Sequence, residues 1–193
     1  MMLFGVARPS TRTRMKIGLK TRLGSGPYSV GVAKALSQLR SLRKITFFWT
    51  HSSADDFCNI VAKNLVSEGL EHLGIDKARF DTDILCGLIA RHKDTLLEIS
   101  CRDVTLFNGK CGKWAKVIRV MQMAKKLRLV FIDGSTREDD GDKCVQVLLK
   151  GPNENFHDDI EEWLSDPEEA TKSLLGSMLR NYRRENRVFI SHW

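Results

Sequence analysis

The sequence predicts an α/β domain: one mixed sheet flanked by helices, with a basic arm ahead of it and a helical extension behind. Three observations carry this. Short β-prone apolar runs alternate with stretches whose apolar residues recur at helical spacing. The stretch Arg40 to Leu73 joins one such run to an acid-started amphipathic helix, and the later segments can pack on that pair. Charge is also segregated. The first 54 of the 193 residues hold ten basic residues and no acid, which leaves −3 on the remainder of a chain of net charge +7.

A hydrophobic content of 42% is that of a folded domain rather than a disordered chain. No apolar run approaches the roughly 20 residues of a membrane-crossing helix. The cysteines, Cys58, Cys86, Cys101, Cys111 and Cys144, are odd in number, widely spaced and free of any C-x-x-C. They read as reduced, mostly buried side chains in a reducing compartment. Residues 1–31, rich in Arg, Ser, Thr and Gly and without acids, have the composition of a mitochondrial import signal, so a matrix location is expected. A basic tail of a cytosolic or nuclear protein has the same composition.

The elements follow in order. Val32 to Leu42 has helical spacing through Ala35, Leu36 and Leu39. Lys44 to Thr50 is a buried strand, since Ile45, Phe47, Phe48 and Trp49 are nearly continuous. Ser52 or Ser53 can cap a helix carrying Phe57, Ile60, Val61, Leu65, Leu70 and Leu73, with Gly74 as its stop. Ile84 to Ala90 reads as a strand. Thr95 to Phe107 reads as a long strand ended by Asn108-Gly109. Trp114, Val117, Ile118 and Met121 mark a helix. Leu127 to Ile132 and Cys144 to Leu149 form a hairpin around an acidic loop, Ser135 to Lys143. The tail is helical, with Asp166-Pro167 as a helix start and Arg180, Arg183, Arg184 and Arg187 at its end. No internal repeat is visible. The divisions are a basic arm over 1–31, the α/β domain over 32–151 and a helical extension over 152–193. The order can be threaded as a thioredoxin-like domain.

Catalytic chemistry is hard to place on this sequence. A thioredoxin-type enzyme needs a low-pKa thiolate where the chain has Thr50-His51-Ser52-Ser53, and a cis-proline that none of Pro9, Pro27, Pro152 and Pro167 is placed to supply. The histidines are scattered and no Cys/His pair has zinc spacing. No phosphate-binding glycine loop follows a strand. No enzyme activity, cofactor, metal or small-molecule substrate is expected. The basic residues carry the remaining signal. Arg8, Arg12, Arg14, Lys16, Lys20 and Arg22 can set charges against successive phosphates; Lys110, Lys113 and Lys116 form a second cluster, and Arg180, Arg183, Arg184 and Arg187 a third. The alternative for each cluster is a solvated charged face.

Residues 43 to about 113 carry Lys44-Ile-Thr-Phe-Phe-Trp, a helix from Asp55, Thr82-Asp-Ile-Leu-Cys86 and Asp103-Val-Thr-Leu-Phe-Asn-Gly-Lys110. This resembles the thioredoxin-like proteins of the mitochondrial large ribosomal subunit, the fifty-third-protein family and nearly as well its forty-third-protein sibling. The family's usual proline after the first strand is missing. The resemblance implies a non-catalytic constituent of the mitoribosome, bound to ribosomal RNA and neighbouring ribosomal proteins and not to a membrane. The alternatives are a thioredoxin-fold oxidoreductase and an accessory subunit of a respiratory complex.

Overall fold

The structure, a computed structural model, describes residues 13–18, 31, 34–35, 38–48, 55–108, 112–133, 136–139, 144–148, 166–180 and 182–189. The elements in chain order are β1 (Thr13–Gly18), β2 (Leu42–Phe48), α1 (Asp55–Asn64), β3 (His72–Asp76), β4 (Arg79–Asp81), α2 (Thr82–Arg91), β5 (Glu98–Arg102), β6 (Thr105–Phe107), α3 (Lys113–Met121), β7 (Leu129–Asp133), β8 (Arg137–Asp139), β9 (Cys144–Leu148), α4 (Pro167–Arg180) and β10 (Arg183–Phe189).

The strands form two sheets. The first runs β1-β2-β3-β5-β7, every neighbour parallel and every strand beside its predecessor in that series. The second runs β4-β6-β8 in parallel and is extended by β9 and β10, both antiparallel. Parallel neighbours need a crossover, and from β2 onward α1, α2 and α3 supply it in turn. One coil is therefore a strand of the first sheet, a sharp corner, a strand of the second sheet and a returning helix.

The corners have a local cause. Lys77 and Asp103 sit at equivalent places, each with φ near +50° (51° and 49°). That left-handed backbone bends the chain from one sheet to the other. The Lys77 amide then donates to the Arg102 carbonyl at 2.8 Å, which ties one corner to the next. Strain at a non-glycine corner is of order 1 kcal/mol, and the neighbouring ladder holds it in place.

The interior repeats with the corners. Leu70, Leu73, Ile75, Ala78 and Phe80 are buried, and Leu96, Ile99, Cys101, Val104 and Leu106 are buried at the same places one coil later. Leu127 and Val130 continue the series. The spacing L-x-x-L-x-I-x-x-A-x-F, with a strand and a helix per unit, has the form of a leucine-rich repeat. A single coil cannot bury its own face; stacking makes the core continuous. Phe47 meets Phe80 edge-on, ring centroids 5.3 Å apart at 69°, and each such buried ring or aliphatic side chain contributes about 1.5–3 kcal/mol.

This arrangement corrects several expectations. The strands lie in two sheets, not one mixed sheet, and an internal repeat is present. Ile84–Ala90 belongs to α2, not to a strand: the Asp81 side chain accepts from the amides of Asp83 and Ile84 at 2.8 and 3.0 Å and starts a helix. Its apolar run is long because α2 packs between α1 and α3, burying Leu85, Leu88 and Ile89. The helix from Asp55 stops at Asn64, and Leu73 and Gly74 lie in β3. Thr95–Phe107 is broken at Asp103 into β5 and β6. β9 pairs with β8, not with β7. The C-terminal helix ends at Arg180, and Arg183–Phe189 is a strand. The strand at Lys44, the helix at Trp114 and the start at Asp166 stand where expected, with Asp166 Oδ1 accepting from the amides of Glu168 and Glu169 at 3.2 and 3.1 Å.

Candidate functional site

Side chains alternate across the first sheet. Ile45, Phe47, Leu73, Ile75, Ile99, Cys101 and Val130 point inward to the cluster shared with the helices. The other set forms three rows on the open face. The register aligns Lys44, His72, Glu98 and Leu129 in one row, Thr46, Gly74, Ser100 and Phe131 in the next, and Phe48, Asp76, Arg102 and Asp133 in the third. On β1, Arg14 and Lys16 lie in register with Lys44 and Thr46.

The middle row is small at Thr46, Gly74 and Ser100. Gly74 is buried: the Thr46 side chain lies against it, so that an added Cβ would meet Thr46 Oγ1 at 2.9 Å. Thr46 and Ser100 are half-buried on either side of it. One flanking row carries a His72 Nδ1–Glu98 Oε2 contact of 2.7 Å. The middle row thus makes a mostly polar track across the strands. At about 4.8 Å per strand it runs about 14 Å from β2 to β7, and the flanking rows are about 13 Å apart along the strands. At the β7 end stand Leu129 and Phe131, 42% and 46% exposed. At the other end the sequence is wholly basic in its charge. A face of this kind can hold an extended or helical polypeptide.

The sequence-predicted contacts distribute differently. Arg8, Arg12, Lys20, Arg22 and Lys110 lie outside the described residues. Arg14 and Lys16 are in β1, and Arg183, Arg184 and Arg187 in β10, at opposite ends of the two sheets. The second cluster does not form one face: Lys113 is only 2% exposed, whereas Lys116 is exposed and bonds Asp83 at 2.5 Å. That bond raises the Lys116 pKa. Arg180 is exposed at the end of α4. The turn Thr50–Ser53 lies outside the described residues.

Among the described residues, the thiols of Cys86 and Cys101 are poor nucleophiles. Cys58, Cys86 and Cys101 are buried thiols. Burial pushes Cys86 up to about 11 and Cys101 up to about 12. Among the described residues no three His, Cys, Asp or Glu side chains come together to hold a metal ion, and no helix is long and apolar enough to cross a membrane.

One acid of the expected surface loop is a structural anchor instead. Glu138 occupies the place that Phe80 and Leu106 hold in earlier coils, and it is fully buried. Its Oε1 accepts from the Trp114 amide at 2.7 Å and the Tyr182 hydroxyl at 2.8 Å; its Oε2 accepts from the Gly112 amide at 3.3 Å. Gly112, left-handed at φ 81°, offers no cap of its own. The carboxylate caps α3 in its stead and ties it to the chain after α4. With its oxygens so occupied, it is not poised as a general base. Nearby, Asp139 pairs with Arg79, whose guanidinium lies 5.0 Å over the Phe107 ring.

Leu129 and Phe131 were not foreseen as surface residues, because Leu127 to Ile132 reads as a buried run. The repeat would have found them: they fall at the outward places of Glu98 and Ser100. Comparison with protein-family models, with curated proteins and with solved structures finds no match to this chain.

Proposed function

We propose that this chain is a non-catalytic subunit of a mitochondrial assembly that holds a protein partner across the open face of its first sheet. One observation carries the reading: a parallel sheet with its helices on one side leaves three side-chain rows uncovered by them, ending in the exposed pair Leu129 and Phe131. Large apolar side chains grouped beside a polar track are what a docking face presents. Buried thiols and an acid occupied in capping fit a subunit without its own chemistry. The import-like composition of residues 1–31 supplies the mitochondrial part.

The mitochondrial large ribosomal subunit is the assembly that the sequence resemblance suggests, although the thioredoxin-like body behind that resemblance asks for a different strand arrangement. Contact with ribosomal RNA is a second reading, favoured by ten basic residues without an acid in the first 54. Sedimentation of mitochondrial extract with and without ribonuclease separates the two. Protein docking predicts that the chain stays in a large particle after ribonuclease. Release by ribonuclease gives RNA the main role, and absence from mitochondria overturns both.

A further inference from the structure

Asn108 has a reactive neighbour in the chain, and its hydrogen bonds tie it to the start of α2. We infer that Asn108 is a covalent modification site, where deamidation turns a hydrogen bond that supports the cap of α2 into a repulsion against it. The docking role proposed above does not enter this inference.

The sequence supplies the reactants. Asn108 is the only asparagine of the chain followed by glycine. Every other one precedes a residue whose Cβ crowds its amide nitrogen; Gly109 has none. In such a pair the Gly109 amide gives its proton to hydroxide, and its nitrogen bonds to the side-chain carbon Cγ of Asn108. The Cγ–Nδ2 bond breaks, and ammonia leaves with a proton from water. A succinimide ring remains. Water then opens the ring at either carbonyl and leaves aspartate or isoaspartate. In sum, one amide and one water become a carboxylate and ammonium, with no oxidant or reductant.

The structure supplies the consequence. Asn108 follows β6 with a left-handed backbone, φ 54°, which asparagine tolerates. Its side chain is exposed to the water that the reaction needs. Nδ2 donates to Asp81 Oδ2 at 2.7 Å. The other oxygen of that carboxylate, Oδ1, accepts from the Asp83 and Ile84 amides at the start of α2. The Asn108 carbonyl accepts from Thr82 Oγ1 at 3.0 Å. One carboxylate therefore holds both the cap and the turn. Before reaction, Asp81 restrains Nδ2, which must let go as ammonia leaves, so the folded chain reacts slowly. After reaction, aspartate has no hydrogen to donate, and two carboxylates face each other beside the cap. Isoaspartate also lengthens the backbone of the turn by one carbon. The change does not reverse by itself, so it loosens α2, the helix between α1 and α3, in one direction only.

Incubating the folded full-length protein in mildly alkaline buffer tests this, with peptide mapping by mass spectrometry as the readout. Asn108 should convert before any other asparagine. Asp81→Ser keeps a hydroxyl that can cap α2 but has no second oxygen for Nδ2. It should speed the conversion about tenfold. Asn108→Asp makes the product directly. In urea unfolding it should lower the folding equilibrium constant about fivefold or more, and much less when Asp81→Ser is also present. Conversion of another asparagine ahead of Asn108 overturns the site. Equal rates in the native and Asp81→Ser chains, or an Asn108→Asp chain as stable as the native one, overturn its link to α2.

Discussion

Replacing Glu138 should destabilise the fold in a graded way that follows its hydrogen bonds. Glu138→Ala removes the carboxylate that caps the start of α3, where a cap contributes about 0.5–2 kcal/mol. It also leaves the Trp114 amide, 2.7 Å from Oε1, without its acceptor, and a buried unsatisfied donor costs about 1–3 kcal/mol. Losing the Tyr182 contact at 2.8 Å adds about 1 kcal/mol. Because the terms overlap at one carboxylate, the expected loss is about 3–4 kcal/mol, a large part of an ordinary domain's 5–15. Glu138→Gln behaves differently. Its amide oxygen can stay at Oε1 and keep both of those bonds; it loses the longer Gly112 contact, 3.3 Å, and the charge at the helix start. About 1 kcal/mol is expected. Tyr182→Phe should cost about 1.5 kcal/mol, and combining it with Glu138→Ala should add little more. Urea unfolding at pH 7, followed by far-UV circular dichroism, measures all four. A loss under about 1 kcal/mol for Glu138→Ala, or equal losses for the Ala and Gln variants, would refute the assignment of Glu138 as the cap.

Stability should also depend on pH through His92. Burial, and to a lesser extent the Arg91 guanidinium, push its pKa from 6.5 down to about 4, and its Nε2 has no hydrogen-bond partner among the described residues. Between those values the unfolded chain binds a proton that the folded chain does not. The contribution is complete above about 6.5, falls as the pH drops, and is gone below about 4; its ceiling is on the order of 3 kcal/mol. His92→Leu should remove that slope from a urea series between pH 7 and 4.5, and an unchanged slope would refute it. Gly74→Ala should cost about 1–2 kcal/mol, because its Cβ meets Thr46 Oγ1 at 2.9 Å. Adding Thr46→Ala should recover most of the loss, and strictly additive losses would refute the contact. At pH 7.5, alkylation of the folded protein read by mass spectrometry should spare Cys58, Cys86 and Cys101 until urea is added.

The parts of this fold that sequence reasoning located are those with a strong local signal. Ile45 and Phe47 announce β2, the Trp114–Met121 spacing announces α3, and Asp166-Pro167 announces α4. It failed where tertiary context decides. The run Ile84–Ala90 is apolar on two sides because α2 lies between two other helices, and periodicity alone does not separate that from a buried strand. Asp81, ahead of Thr82-Asp83, was the missed helix signal. Asp103 hides a corner, since nothing about an Asp requires a positive φ. The repeat was written in the sequence at Leu70, Leu73, Ile75 and at Leu96, Ile99, Cys101. Reading each segment by itself, instead of against the one before it, concealed the repeat. Aligning those coils would also have turned Leu129 and Phe131 outward and Glu138 inward. Taken by itself, an acid beside Asp139 and Asp140 reads as solvated until its place in the third coil is known.

The claim that most depends on the geometry is that the open face does the binding. Its most direct test is size fractionation of ribonuclease-treated mitochondrial extract, comparing the native chain with the Leu129→Glu/Phe131→Glu variant. Both residues are more than two-fifths exposed, so the variant should fold with a stability change of about 0.5 kcal/mol or less at each site. The account predicts that the native chain migrates in a large complex and the variant at the size of a single chain. If both migrate in the same large complex, another surface makes the contact and the central claim fails.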